Sequence, residues 1–316
     1  MLSGALRLVN DTPPAADSFG ISRRRFLASA ATLGGGLLLG KAAWHEPRTF
    51  ILEERQLHLA KIPPGPGLRI VHLSDLHLRS LPRTFATAVE TINKLRPDLI
   101  LLTGDYLDQA RQLEGAIQFI RKLSAAQGIF AIQGNWEYWA RLEGEPLRRG
   151  LAAAGAELLI DERRDLLIRG IPVSILGIDY PSASHNLETV SRLATRGRVN
   201  IALSHVPAFS HNKLAGLADL ILSGHTHGGQ VRLPYVQPFY LPRFSLPYIS
   251  GLYRVTEKHI PLYVNRGMGT SLLPVRFLCP PEITLLTLGN PPGAELPWRR
   301  PPRDTSGDRS GSVEHR

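Results

Sequence analysis

The chain has 316 residues, 43% of them hydrophobic and 20% charged, which suits a folded globular domain with a sizeable core and excludes a wholly disordered chain. Its single cysteine, Cys279, excludes an intramolecular disulfide and a cysteine-based zinc site, so any metal must be held by His, Asp, Glu or Asn. The formal net charge is +10, yet outside residues 1–42 and 291–316 the balance is 27 basic to 21 acidic, an excess that suits an anionic partner without identifying one.

The N-terminal residues 1–42 read as a separate segment. Ser22-Arg23-Arg24-Arg25-Phe26-Leu27 opens an uncharged run from Leu27 to Gly40, and a basic patch ahead of a short apolar run is the pattern of an export signal. The run of 14 residues falls short of the roughly 20 needed to cross a bilayer. Ser22, Arg23, Arg24, Phe26 and Leu27 resemble a twin-arginine (Tat) signal, with Ala28 where a lysine is common. That resemblance implies export by the Tat machinery to the periplasm or cell envelope. Gly40-Lys41-Ala42 offers a weak small-x-small cleavage site before Ala43; the alternatives are an uncleaved N-terminal anchor or a chance arginine cluster.

Residues 43–290 carry the predicted domain. Arg48–Leu59 alternates as an edge strand and ends at the Pro63–Gly67 cluster. Leu68–Leu73 is a buried strand, Arg83–Leu95 has the apolar spacing of a helix, and Leu99–Leu102 is again a strand. A helix over Gln112–Leu123, a strand over Ile129–Ile132 and a helix over Glu145–Ala154 follow. From there strands cluster at Leu158–Ile160, Asp165–Ile168 and Val173–Ile178. A helix is expected over Leu187–Ala194, then strands at Val199–Leu203, Leu220–Ser223, Leu262–Asn265 and Ile283–Leu288. Alternation first and clustered strands later suggest two packed sheets with helices outside. The Pro/Arg/Gly/Ser-rich stretch 291–316 reads as a disordered tail.

Five strands in turn are followed by residues of metal-ligand type: Asp75 and His77, then Gly104-Asp105, Gly134-Asn135, His205 and Gly224-His225-Thr226-His227. In α/β sheets, ligand sites form at the carboxyl ends of strands. Carboxylate, imidazole and amide oxygen suit a hard to borderline divalent cation, and a carboxylate can bridge two. The glycines beside Asp105, Asn135 and His225 are expected to let the chain turn sharply there.

This ordered set resembles the motifs of the calcineurin-like metallophosphoesterases. His227-Gly228-Gly229-Gln230, Asn265–Gly269 and Pro280–Ile283 are similar to a bacterial branch of Tat-exported phosphodiesterases and UDP-2,3-diacylglucosamine pyrophosphatases. The resemblance implies a four-layer α/β/β/α sandwich with two mixed sheets and two divalent metal ions (Mn, Fe, Zn or similar). It implies one metal held by Asp75, His77, Asp105 and His227, and the other by Asp105, Asn135, His205 and His225. It further implies hydrolysis of a phosphodiester or phosphoanhydride, on a phosphorylated small-molecule or lipid- or envelope-linked substrate. Asp108 is expected to cap the loop or support a ligand.

Trp136 departs from the family pattern, which has a histidine after Gly134-Asn135 that is thought to assist the leaving group. Indole cannot act as a titrating acid near neutral pH, which favours phosphoanhydrides or esters with good leaving groups. His185 and His211 are other candidate proton donors. A metal-binding protein with reduced catalysis is the alternative. A nuclease of the same fold is another, although export and the lack of a nucleic-acid module argue against nucleic acid as the partner. Trp136, Tyr138 and Trp139 could form an aromatic wall. The Pro- and aromatic-rich stretch Leu233–Tyr253 reads as a substrate or membrane lip, or as a stiff loop capping the second sheet. Arg266 reads as a phosphate contact or an ion-pair partner.

Overall fold

Leu68–Leu73 (β2) and Leu99–Leu102 (β3) show how this sequence builds its layers in the computed structural model, which describes residues 36, 38–78, 83–180, 191–210, 217–255 and 260–289. Side chains alternate across a strand, so Leu68, Ile70, Leu99 and Leu101 face a second sheet while Val71, Leu73, Ile100 and Leu102 face helices. With both faces covered, β3 reads as an unbroken apolar run, whereas Arg69 and His72 interrupt β2.

The chain divides at Gly40, and the two sheets belong to the unit Lys41–Arg316. In the first sheet β1 (Ile51–His58), β12 (Glu282–Gly289), β2, β3, β4 (Ile129–Ala131) and β5 (Ala156–Leu158) lie side by side in that order. In the second the order is β10 (Gly251–Val255), β11 (Ile260–Val264), β9 (Leu220–Ser223), β8 (Val199–Ser204), β7 (Ile171–Ile178) and β6 (Glu162–Ile168). Both sheets are mixed: β12 runs antiparallel to β2, β6 to β7 and β10 to β11, whereas β2, β3, β4 and β5 run parallel, as do β7, β8, β9 and β11. Helices α1 (Arg83–Lys94), α2 (Leu113–Ile120) and α4 (Glu145–Ala153) cover the first sheet through Ala88, Ile92, Phe119, Ile120 and Leu151. Two six-stranded mixed sheets under helices agree with the expected α/β sandwich. On the outer face of the second sheet Leu193, Tyr248 and Tyr253 pack over Leu176, Ile221 and Leu262.

The expected elements return within a few residues, and further short elements join them. Asn135–Trp139 forms a short helix (α3), and Gly251–Val255 pairs antiparallel with β11 although the sequence reads as loop there. Tyr253 supplies the reason, since its ring is buried against Tyr248 while its hydroxyl accepts the Ile249 and Ser250 N–H groups. The arginine cluster at 23–25, His185, His211, residues 187–190 of the expected helix and the tail 291–316 lie outside the described residues.

Parallel order in the middle of each sheet delivers the carboxyl ends of β2, β3, β4, β8 and β9 to one edge. The loops there are stitched to one another: Asp75 N–H donates to Gly104 O at 3.0 Å, His77 N–H to Asp105 O at 3.1 Å and Gly224 N–H to His205 O at 3.0 Å. The fully buried Arg276 ties together the neighbouring segment 266–279, donating to the carbonyls of Arg266, Gly267, Gly269 and Cys279. The loop it holds carries the Gly269 N–H that donates to Asp75 O at 2.7 Å.

Candidate metal centre

At that edge Asp75, His77, Asp105, Asn135, His205, His225 and His227 are all buried and converge. One ligand atom from each of Asp75, His77, Asp105 and His227 lies within 4.8 Å of the others, and so do those of Asp105, His205 and His225. Asp105 belongs to both groups: its Oδ2 is 3.2 Å from His205 Nε2 and 3.8 Å from His77 Nε2. Asn135 Oδ1 joins the second group, 3.0 Å from His205 Nε2 and 2.9 Å from His225 Nδ1.

The outward ring nitrogens fix what the inward ones offer. His77 Nδ1 donates to Asp108 Oδ1 at 2.6 Å, His205 Nδ1 to Thr103 O at 2.6 Å and His225 Nε2 to Arg243 O at 2.9 Å. This is how protein ligands to metals are usually oriented. With its proton on Nε2, His225 presents a lone pair at Nδ1, and that lone pair faces the Asn135 oxygen and His205 Nε2 at 3.2 Å. His77 Nε2 and His227 Nε2 likewise stand 3.2 Å apart. Carboxylate, amide and imidazole ligand atoms thus converge at contact distance, and His227 Nδ1 is buried with no partner among the described residues, a donor set that fits divalent metals.

The titration of the cluster follows the same logic. Burial disfavours charge on His205, but the adjoining Asp105 carboxylate, together with Asp75 and the Thr103 carbonyl, more than offsets it and pushes the imidazole up to about 9. Burial, and then the charge on His205, push His225 down to about 4. A proton at His205 Nε2 thus stands in for part of the positive charge that the cluster requires.

Backbone conformation is unusual at five of these seven residues. Asp75, His77, Asp105, His225 and His227 have φ of 49°, 41°, 57°, 70° and 51°. For residues other than glycine this left-handed region costs about 1–2 kcal/mol each. Such strain persists only where surrounding structure enforces it, which is characteristic of functional sites. The neighbouring glycines act differently from expectation. Gly104, at φ 90°, does make the turn, but Gly134 has φ −106°, so turning is not its reason. A Cβ on Gly134 would fall on Asp105 Oδ1, and one on Gly224 would fall on Ser74 Oγ; both are there for close approach.

Three residues that sequence reasoning did not single out support the cluster. Glu137, fully buried in α3, accepts the N–H groups of Gly134 at 2.7 Å, Tyr106 at 2.8 Å and Asp105 at 3.0 Å. Burial, then the Asp105 charge, push its carboxyl up to about 7. An acid at the third position of a glycine-capped turn was the signal that could have found it. Tyr180 stands beside His205 with ring centroids 6.4 Å apart, and Arg243 contributes only a carbonyl, which no side-chain pattern encodes.

Other expectations divide. Asp108 supports a ligand, His77, as expected. Trp136 is edge-on to His77 at 5.5 Å, donates its backbone N–H to Asp105 Oδ1 at 2.9 Å and packs against Trp139. Tyr138 leaves that wall, because its hydroxyl binds Asp179. Beside Trp136 lies a cavity of about 720 Å³ lined also by Leu78, Asp108, Arg111, Gln112 and Leu272. Arg266 is an ion-pair partner, with Nε 2.5 Å from Glu282 and a second link to Glu53 at 3.2 Å.

The calcineurin-like phosphoesterase profile matches residues 68–229. The chain is 35% identical over 286 residues to the uncharacterized metallophosphoesterase YkuE of Bacillus subtilis, covering 85% of this chain and 98% of that protein. It is 32% identical to the phosphodiesterase YaeI of Escherichia coli, covering 85% of this chain and 99% of that protein. It is 28% identical to the UDP-2,3-diacylglucosamine pyrophosphatase LpxG of Chlamydia trachomatis, covering 77% of this chain and 86% of that protein.

Glu137→Gln tests the brace under Asp105. An amide turns an N–H₂ toward backbone N–H groups that a carboxylate satisfies, so the change is expected to cost about 2–4 kcal/mol and to lower bound metal. Urea denaturation and elemental analysis measure the two effects; unchanged stability and full metal content would remove Glu137 from this role.

Proposed function

The chain belongs to the calcineurin-like phosphoesterase family, whose members include phosphodiesterases and pyrophosphatases, and on that premise we propose that it hydrolyses a phosphodiester or phosphoanhydride with two divalent cations, of manganese, iron, zinc or similar kind. Asp75, His77, Asp105 and His227 would hold one cation and Asp105, Asn135, His205 and His225 the other. When bound, such a pair supplies Lewis-acid stabilisation of phosphoryl oxygens and lowers the pKa of water into the working range. The observation that carries the reading is the Asp105 carboxylate shared between two groups of buried ligand-type side chains.

The chain's own residues do the positioning. Asp108, Thr103 O and Arg243 O hold the three imidazoles in the orientation that keeps their inward nitrogens on the cluster. The Trp136 backbone N–H fixes Asp105 Oδ1 and leaves Oδ2 free to face His205 and His77. Its indole shields His77 from solvent on one side but offers the departing oxygen no titrating proton. That favours phosphate-type leaving groups, whose second pKa is roughly 6, over alkoxides. The polar Trp136 cavity and the apolar residues beside His227 support a phosphorylated, lipid- or envelope-linked substrate. Residues 1–42 would direct export by the twin-arginine route to the periplasm or envelope, with a membrane anchor if the segment is retained.

The direct test is turnover of bis(p-nitrophenyl) phosphate with added manganese by the purified protein. Asp105→Ala is expected to abolish it and to lower bound metal from two equivalents to one or none. Two equivalents retained by the variant would sink the shared-carboxylate assignment.

Trp136 makes a second expectation. Without an acid, charge builds on the leaving oxygen, so kcat/KM should fall steeply across aryl phosphodiesters of rising leaving-group pKa. Trp136→His should flatten that slope, since general acid catalysis is worth roughly 100-fold to 10,000-fold. A flat slope for the native protein, with chemistry rate-limiting, would show that another residue supplies the proton.

Changing Arg23, Arg24 and Arg25 together to lysine is expected to leave the protein in the cytoplasm on fractionation. Export at the native level would reject the twin-arginine route.

A further inference from the structure

Ten of the fifteen large apolar side chains exposed among the described residues fall in two loops, 233–246 and 271–278, so the exposed apolar surface is concentrated in one place. The loops are tied together: Arg232 N–H donates to Phe277 O at 2.8 Å, Phe277 N–H to Gln230 O at 2.9 Å and the Gln230 side chain to Leu273 O at 3.0 Å. Tyr235 at their tip is fully exposed, and Phe239 is 74% exposed. Between the loops lies a cavity of about 400 Å³ walled by Phe239, Tyr240, Leu272, Leu273 and Val275, and His227 forms part of its lining. The first loop also reaches the metal cluster through Arg243 O, the acceptor for His225.

Two further observations say what covers this surface. Neither loop contains an Asp or Glu, whereas Arg243 lies within the first and Arg232 at its edge, so the rim is apolar and basic. The chain also enters the unit here. Lys41 Nζ lies 5.8 Å over the Phe277 ring, Ala42 O accepts the Arg276 N–H at 2.9 Å, and the buried Glu46 accepts the Cys279 N–H at 2.5 Å. The uncharged run Leu27–Gly40 therefore ends one residue before the chain packs on the rim. No helix among the described residues is long and apolar enough to cross a membrane. Peripheral binding to a bilayer strengthens with buried apolar area and with basic residues that meet anionic headgroups.

We propose that loops 233–246 and 271–278 dock on the surface of an anionic lipid bilayer. The cavity beside His227 then opens toward the membrane, where it takes the hydrocarbon chain of a lipid phosphodiester or anhydride. The substrate assignment rests on the phosphoesterase reading above; the docking does not. Aromatic side chains at the rim suit the headgroup layer, where ring faces meet lipid and polar edges stay wet.

The test is hydrogen–deuterium exchange of the full-length protein with phosphatidylglycerol-containing vesicles, compared with phosphatidylcholine vesicles. Backbone amides of 233–246 and 271–278 are expected to slow on the anionic vesicles, and less on the neutral ones. Tyr235→Asp with Val236→Asp changes exposed tip residues outside the cavity beside His227. It should abolish that protection and weaken vesicle binding at least about tenfold, as expected from leaving a large apolar side chain in water. Hydrolysis of soluble bis(p-nitrophenyl) phosphate should be unchanged in the double variant. Vesicle binding without slowed exchange in the two loops overturns the proposal. So does a dimer in solution that the double variant dissolves, which would give this face to a second copy of the chain. Failure of the native protein to turn over the soluble diester counts against the phosphoesterase reading, while the exchange pattern still decides the docking.

Discussion

One carboxylate, Asp105, governs the arrangement of everything around it. Its Oδ2 faces imidazoles from two different sheets, its Oδ1 is fixed by the Trp136 N–H, and its own N–H is held by Glu137. A buried carboxylate is costly unless it is fully paired. The pairing here requires loops from β2, β3, β4, β8 and β9 to reach one point, which two sheets with parallel centres and facing edges accomplish. The left-handed backbone at five ligand-type residues is the strain that this convergence imposes, and the stitched loop hydrogen bonds and buried Arg276 hold it.

The cluster sits between two unlike environments. On the His77 side, Trp136, Asp108, Arg111 and Gln112 make a polar cavity with one aromatic wall. On the His227 side the lining is almost wholly apolar, and Leu272 belongs to both. The Trp136 indole lies edge-on to His77 and lines the polar cavity, and it carries no titrating proton near neutral pH.

Exposed apolar side chains at the rim, the cluster and the entry of the chain are structurally continuous. Arg243 joins the rim to His225, and Phe277 joins the rim to Lys41.

The sequence by itself determined the strands, the family and the order of the ligand-type residues. Apolar runs covered on both faces, glycine beside Asp105, Asn135 and His225 at three strand ends, and the spacing of Asp75, Asp105 and His205 are all written locally. It also made clear that Trp136 stands where an acid is common, since residue identity alone carries that chemistry. Only the tertiary structure decided that Gly134 and Gly224 serve close approach, that Arg266 is committed to Glu282 and Glu53, and that Tyr253 belongs to a strand. The same holds for Glu137 as the brace of Asp105 and for Arg243, whose backbone carbonyl orients His225. These depend on which distant segments meet, and a carbonyl or a missing Cβ leaves no residue-type signature of its partner. The concentration of apolar side chains into one rim was hidden for that reason too: residues 233–246 and 271–278 lie apart in the chain and become one surface only when Gln230, Arg232 and Phe277 join them.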